Sequence, residues 1–197
     1  SAGAIMMTIR EAAQVLQAGW NGQDGLFTGV STDSRTLKPG DLFVALTGER
    51  FDGSEFVLSA KEKGAAAALV PQAAGENALS AGIPLLRVQD TRLSLGQLAA
   101  NWRNRFTLPL IAVTGSNGKT TVKEMIAAIL RQATAGGEVT INAPAERILA
   151  TEGNLNNDIG VPLMLLRLRQ QHRYAVIEMG MNHVGEIGYL TQLAKPG

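Results

Sequence analysis

"LPLIAVTGSNGKTTVKEMIAAILRQA", residues 108–133, decides the fold. Its opening run "LIAVT" reads as a short buried strand. The segment after Thr120 repeats Val122, Met125, Ile126, Ile129, Leu130 and Ala133 on one helical face. Between strand and helix stand two glycines, a lysine and three threonines. Gly115 and Gly118 let the backbone turn with positive φ and bring amide N–H groups close to phosphate oxygens. The helix that follows presents its positive end to the same point. Lys119 can reach the β- and γ-phosphates of ATP, and the Thr120 hydroxyl can ligate Mg²⁺. Thr114, Gly115, Ser116, Asn117, Gly118, Lys119, Thr120 and Thr121 therefore form the candidate ATP site. The common phosphate loop needs a glycine where Val113 stands, so this loop is a shortened variant or a plain glycine turn with a solvated lysine. Its strand–loop–helix setting favours the phosphate cradle.

Upstream, Thr8 with Glu11 three residues later is a capping-box pattern, followed by Ile9, Ala12, Ala13 and Leu16 on one helical face. Two stretches rich in Gly, Asp, Ser and Thr flank the short strand "LFVAL" (42–46). "SEFVLSAKEK" (54–63) reads as a helix with Phe56, Val57 and Ala60 inward and Gly64 as its stop. "AAAALV" and "PLLRV" read as further strands. "DTRLSLGQLAANWRNRF" (90–106) carries Leu95, Leu98, Ala99, Trp102 and Phe106 at helical spacing, with Trp102 as a core residue. Downstream of the loop helix, 134–147 reads as an excursion, "ILAT" as a strand and "PLMLLRLRQ" as a helix with Pro162 in its first turn. "YAVIEMG" reads as a buried parallel strand, and a helix through "GEIGYLTQLA" stops before Pro196. His172 reads as a surface residue.

The expected class is α/β: a small amino-terminal α/β domain over 8–88, a connecting helix over 89–107, and a partial P-loop-type, parallel-sheet ATP-binding domain over 108–197. That second domain shows too few strands for a complete doubly wound sheet, so the chain is expected to be truncated. Residues 1–7 read as a scar rather than a signal peptide. The chain has 197 residues, a net charge of +1 and no cysteine. That charge gives no reason to expect nucleic-acid or acidic-membrane binding, and disulfides and thiolate metal sites are excluded. No apolar run approaches the roughly 20 residues that span a bilayer.

Glu178 ends the strand "YAVIEM", at the carboxyl edge of a parallel sheet where ligands bind in open α/β folds. A carboxylate there suits Mg²⁺, although a strand-end glutamate in solvent explains it as well. His183, five residues on, reads as a helix-start or surface histidine on its own, and its place beside Glu178 on the same loop favours metal or phosphate contact. "GNLNNDIGVP" (153–162) supplies side-chain amides that can bind carboxylates or phosphate, or simply make turns.

Together these pieces resemble the Mur ligases, the ATP-dependent amide-forming enzymes of peptidoglycan precursor synthesis. That family uses the loop T-G-[ST]-x-G-K-[ST], which Thr114 to Thr120 matches throughout. "DSRTLKPGDLFVALTGERFDGSEF" (33–56) is similar to the family's amino-terminal, UDP-holding domain. "GNLNNDIGVPLMLLRL" and "VIEMGMNHVGEI" resemble the branch that adds D-alanyl-D-alanine; the branch adding the third amino acid would carry a Thr-Thr-Pro segment in place of "NLNND".

The resemblance implies a reaction. ATP's γ-phosphoryl passes to the terminal carboxylate of UDP-N-acetylmuramoyl-tripeptide, and the amine of D-alanyl-D-alanine attacks the resulting acyl phosphate. It implies that Lys119 and Mg²⁺ ions held by Thr120, Glu178 and His183 neutralise charge. Asn154, Asn156 and Asn157 would lie near the acceptor carboxylate or γ-phosphate, and Ser34, Arg35 and Arg50 would contact uridine diphosphate. It also implies a monomeric cytoplasmic enzyme whose carbamylated lysine and dipeptide-binding domain lie beyond Gly197. Two local departures stand out: residues 134–152 are longer than the family usually has, and Met181 replaces a common alanine. The rival readings are a ligase of the third-amino-acid branch, a folylpolyglutamate synthetase, and a non-catalytic nucleotide-binding fragment. A kinase or GTPase is weakened by Val113 and by the lack of a guanine-reading motif.

Overall fold

Thr8 starts the first helix as its spacing predicts. In the computed structural model, which describes residues 5–135, 146–180 and 184–197, the Thr8 hydroxyl accepts the Glu11 amide at 3.0 Å. Ile9, Ala12, Ala13 and Leu16 are all buried. The structure divides into two compact units, one ending at Leu98 and the other beginning at Ala99.

The first unit runs β1 (Met7–Thr8), α1 (Ile9–Leu16), β2 (Gly19–Asn21), β3 (Leu26–Phe27), β4 (Gly29–Ser31), β5 (Asp41–Val44), β6 (Thr47–Gly48) and β7 (Phe51–Asp52). A 3₁₀ turn, Gly53–Phe56, leads into α2 (Val57–Glu62), then β8 (Ala67–Pro71), α3 (Glu76–Leu79), β9 (Leu85–Val88) and the start of α4 (Thr91–Arg103). Its main sheet has the order β2-β9-β8-β5-β4, parallel except for β2, which pairs antiparallel with β9. Leu37, Phe43, Val57, Ala60, Ala68, Val70 and Leu85 form one core cluster. Phe56 departs from the expected inward face: it is 38% exposed, because the 3₁₀ turn that carries it precedes α2 and rotates it out of the helical stripe.

The second unit takes up the end of α4 and runs β10 (Leu110–Val113), α5 (Lys119–Thr134), β11 (Ile148–Ala150), α6 (Gly160–Leu165), β12 (Tyr174–Glu178) and α7 (Glu186–Ala194). The three strands are parallel in the order β10-β12-β11. Trp102 is buried, and its indole N–H donates to the Leu168 carbonyl at 3.0 Å. His172 is half-buried rather than at the surface. Its Nδ1 accepts the Arg169 amide at 2.9 Å, and burial pushes its pKa down.

The loop helix differs most from expectation. Val122, Met125 and Ile129 are 45%, 60% and 65% exposed, while Lys123 and Ala127 are buried. The apolar arc of α5 is broader than the face one sheet can cover. The helix docks with small Ala127 against the strands and with Ile126 and Leu130 at the margin, so the inward face turns toward Lys123. The helix read over "PLMLLRLRQ" begins at Gly160 and ends at Leu165, although Leu166 and Leu168 remain buried. No described helix is long and apolar enough to cross a membrane.

Candidate functional site

Strand register builds the candidate phosphate site. Val113, the last residue of β10, pairs with Glu178, the last residue of β12. The "TGSNGK" loop therefore leaves the sheet beside the point where the Glu178 carboxylate arrives. Gly115 (φ +141°) and Gly118 (φ +74°) hold backbone that side chains rarely adopt, and Gly118 caps α5. The amides of the first turn of α5 lack intrahelical partners, so they face outward with the positive end of the helix. Thr114, Gly115, Ser116, Asn117, Gly118, Thr120 and Thr121 are all exposed, as a ligand cradle requires. The Lys119 ammonium folds back over the loop and donates to the Gly115 carbonyl at 2.7 Å.

Glu178 is only 3% exposed, yet it is not isolated. Its carboxylate accepts from the Thr120 hydroxyl at 3.2 and 3.4 Å and from the Asn156 side-chain amide at 3.1 Å. Its backbone N–H donates to the Thr151 hydroxyl at 2.8 Å. Asn156 sits tightly against Gly180: the Gly180 amide donates to the Asn156 carbonyl at 2.6 Å, and a Cβ at Gly180 would come within 3.0 Å of the Asn156 side-chain oxygen. Two loops are thus pinned to one sheet edge. Asn157 turns the other way, its side chain accepting the Ile159 and Gly160 amides at 3.1 and 2.8 Å to start α6. Asn154 is exposed and makes a backbone turn with Asn156. His183 and Met181 lie outside the described residues. Spacing alone does not signal Thr151, which meets the Glu178 amide, or Lys123, which donates to the Thr151 carbonyl.

In the first unit, Thr32, Asp33, Ser34, Arg35, Phe43, Phe51 and Phe56 line a cavity of about 460 Å³. Arg35 is held by a two-pronged contact to Asp33, Nε to Oδ1 at 3.0 Å and one terminal nitrogen to Oδ2 at 2.9 Å. That guanidinium holds the Asp33 carboxyl below its usual range. Phe51 and Phe56 stack with centroids 5.5 Å apart, and both are partly exposed at the cavity. The sequence reading named Ser34 and Arg35, which the structure brings together here. Arg50 lies in the exposed turn between β6 and β7 and does not line the cavity. The aromatic pair was not anticipated, since Phe56 reads as a core residue from spacing alone.

The second unit thus carries a phosphate-type loop beside a buried carboxylate, and the first unit carries a cavity of its own. The model described as the Mur ligase middle domain matches residues 113–197, and the one described as the Mur ligase family catalytic domain matches residues 26–103. The chain belongs to the Mur ligase family. Among curated Mur ligases, the UDP-N-acetylmuramoyl-tripeptide--D-alanyl-D-alanine ligase of Escherichia coli is 46% identical over 98% of this chain and 39% of its own length. A solved Acinetobacter baumannii ligase, titled as UDP-N-acetylmuramoylalanyl-D-glutamyl-2,6-diaminopimelate--D-alanyl-D-alanyl ligase, superposes with a TM-score of 0.81 at 41% identity. It covers all of this chain and 41% of that one. The MurF ligase of Thermotoga maritima, solved in complex with ADP, superposes with a TM-score of 0.65 at 28% identity, covering 85% of this chain and 35% of that one. The chain spans about two fifths of the length of the Mur ligases it matches.

Proposed function

We propose that this chain is the UDP-holding and phosphate-binding part of an ATP-dependent ligase that joins D-alanyl-D-alanine to UDP-N-acetylmuramoyl-tripeptide. The observation that carries the reading is the convergence of the loop, Thr120, Asn156 and buried Glu178 on one sheet edge. It gains support from the names of the relatives identical at 46% and 45% over nearly the whole chain. The protein would be a cytoplasmic monomer.

In that reaction the γ-phosphoryl of ATP is transferred to the tripeptide's terminal carboxylate, releasing ADP. The dipeptide amine then attacks the acyl phosphate carbon, forming the amide and releasing phosphate. Phosphoryl transfer asks the protein mainly for positioning and charge neutralisation. The amides of 115–121 orient the phosphate chain, and the Lys119 ammonium moves from the Gly115 carbonyl to the β- and γ-phosphates. Asn156 holds Glu178 in place, while Asn154, exposed on the same loop segment, is available to the acceptor carboxylate.

The Thr120 hydroxyl and Glu178 carboxylate are hard oxygen donors, which fit Mg²⁺. An ion of this kind is commonly shared between one or two protein oxygens and substrate phosphates. Thr120 and Glu178 would hold it, and it would neutralise charge on the phosphate oxygens when bound. In the first unit, the Arg35 donors that Asp33 leaves over suit a diphosphate, and the Phe51–Phe56 stack suits the flat face of uracil.

Phosphate release by the intact protein, with ATP, UDP-N-acetylmuramoyl-tripeptide and D-alanyl-D-alanine, tests the proposal. Turnover is expected only when the dipeptide is present. Turnover with a single amino acid and a UDP-muramoyl-dipeptide would instead assign the third-amino-acid branch, and nucleotide binding without turnover would assign a binding module.

A further inference from the structure

Lys123 is a buried cation that nothing above uses. It is 2% exposed, on the face of α5 that meets the sheet, one turn beyond Lys119. Its ammonium donates to the Thr151 carbonyl at 2.7 Å and pairs with Glu124 at 2.8 Å. The Glu124 side chain is 58% exposed, and the ammonium beside it holds that carboxyl below the usual range. Removing an ammonium from water costs several kcal/mol, which a half-solvated partner offsets only in part. A methionine would fill the same space without that cost but would leave the buried Thr151 carbonyl without its donor, so what the lysine adds is its hold on Thr151.

What the ammonium holds is informative. Thr151 is itself 2% exposed and follows directly on β11. Its N–H donates to the Val176 carbonyl at 3.1 Å, and its hydroxyl accepts the Glu178 amide at 2.8 Å. Thr151 is therefore gripped on its carbonyl side by Lys123 and grips the end of β12 on its hydroxyl side. The carboxylate so fixed is the one that meets Thr120 and Asn156. The chain of contacts leaves the phosphate-loop helix at Lys123 and returns to the same helix at Thr120.

We propose that Lys123 is a positioning residue for metal–nucleotide binding: acting through Thr151, it sets the register of the Glu178 carboxylate against the Thr120 hydroxyl. The inference rests on reading the loop as a nucleotide-phosphate site. A strut of this kind ties the second turn of α5 to the neighbouring strand end, so helix and carboxylate are held together. Outer partners of metal ligands act in this way in general, orienting a ligand they do not replace.

The test is calorimetric titration of ADP into the intact protein, with Mg²⁺ and again with EDTA. Lys123→Met and Thr151→Val should each weaken binding by about 10- to 100-fold with Mg²⁺ while changing it less than about twofold with EDTA. The double variant should lose no more than the worse single variant, because both cut one chain of contacts. Thr151→Ser, which keeps the hydroxyl, should retain the Mg²⁺-dependent affinity that Thr151→Val loses, and the contrast between these two variants carries the test if Lys123→Met fails to fold. Equal losses with and without Mg²⁺, losses that add in the double variant, or unchanged Mg²⁺-dependent affinity would each overturn the proposal while leaving the nucleotide site standing. Wild-type protein that binds no ADP, or Lys119→Ala that binds it as wild type does, would remove the nucleotide site itself and the inference with it.

Discussion

Glutamine at position 178 separates the site's chemistry from its architecture. The wild-type carboxylate accepts two contacts, from Thr120 and Asn156, at 3.1 to 3.4 Å. Hydrogen bonds to a charged group contribute about 1.5–3 kcal/mol and neutral ones about 0.5–1.5 kcal/mol. Glutamine keeps a carbonyl oxygen for Asn156 and an NH₂ that can donate to the Thr120 hydroxyl. The change therefore weakens each bond by about 1 kcal/mol, roughly 2 kcal/mol together. Relief from burying a carboxylate at 3% exposure works in the opposite direction. Stability should thus shift by less than about 2 kcal/mol, at most about 4–8 °C in melting temperature for a chain of this size. Catalysis should suffer far more, since the lost charge acts where phosphoryl charge develops. By analogy with removing one preorganised stabilising group, kcat should fall by about 10²–10³, or about 2.7–4 kcal/mol. The assay is phosphate release by the intact protein across a Mg²⁺ titration, alongside a thermal melt. A well-folded Glu178→Gln protein with kcat within about tenfold of wild type and an unchanged Mg²⁺ dependence would refute the assignment.

Lys119→Ala should abolish turnover with little effect on the melt, because its one described contact is an exposed bond to the Gly115 carbonyl; activity within about tenfold of wild type, a barrier change of roughly 1.4 kcal/mol, would remove the lysine from the phosphate site. Arg35→Ala should weaken binding of UDP or the UDP-substrate by about tenfold, the low end for a charge-assisted contact because this side chain is highly exposed and screened by salt. Calorimetry showing equal affinity would take Arg35 out of the cavity's function. His172 predicts a pH effect. Its folded-state pKa lies below the ordinary 6.5, through burial first and Arg169 second, so the unfolded chain binds the proton more readily. Its contribution to stability is present above pH 6.5 and is lost as pH falls below that value. Melts of His172→Asn across this range should lose that part of the pH dependence, and an unchanged profile would show that other groups carry it.

The sequence carried the first helix residue by residue, because Thr8, Glu11 and the four apolar positions act within one turn of each other. It also carried the strand–loop–helix setting of the candidate phosphate loop, whose glycines take the positive φ that their spacing suggests. It could not orient α5. Its apolar arc is wide enough for two neighbours, and burial of Lys123 depends on Thr151, 28 residues away. Phe56 misleads for a related reason: helical spacing assigns it to the core, whereas the 3₁₀ turn turns it toward the cavity and against Phe51. The very short strands β1, β3, β4, β6 and β7 hide in stretches rich in glycine and hydroxyl side chains, where pairing rather than propensity creates them. Glu178 reads equally well as solvent-facing until register sets it beside Val113. Residues within one turn were legible; residues joined across the sheet edge were not.

The most direct measurement of the central claim is a crystal structure of the intact protein grown with ADP and Mg²⁺. The account predicts the diphosphate against the amides of residues 115–121, the Lys119 ammonium moved off the Gly115 carbonyl, and the metal about 2.0–2.1 Å from the Thr120 hydroxyl with Glu178 in its surroundings. A nucleotide bound elsewhere, with Lys119 still on Gly115 and the Thr120–Glu178 contact undisturbed, would contradict it.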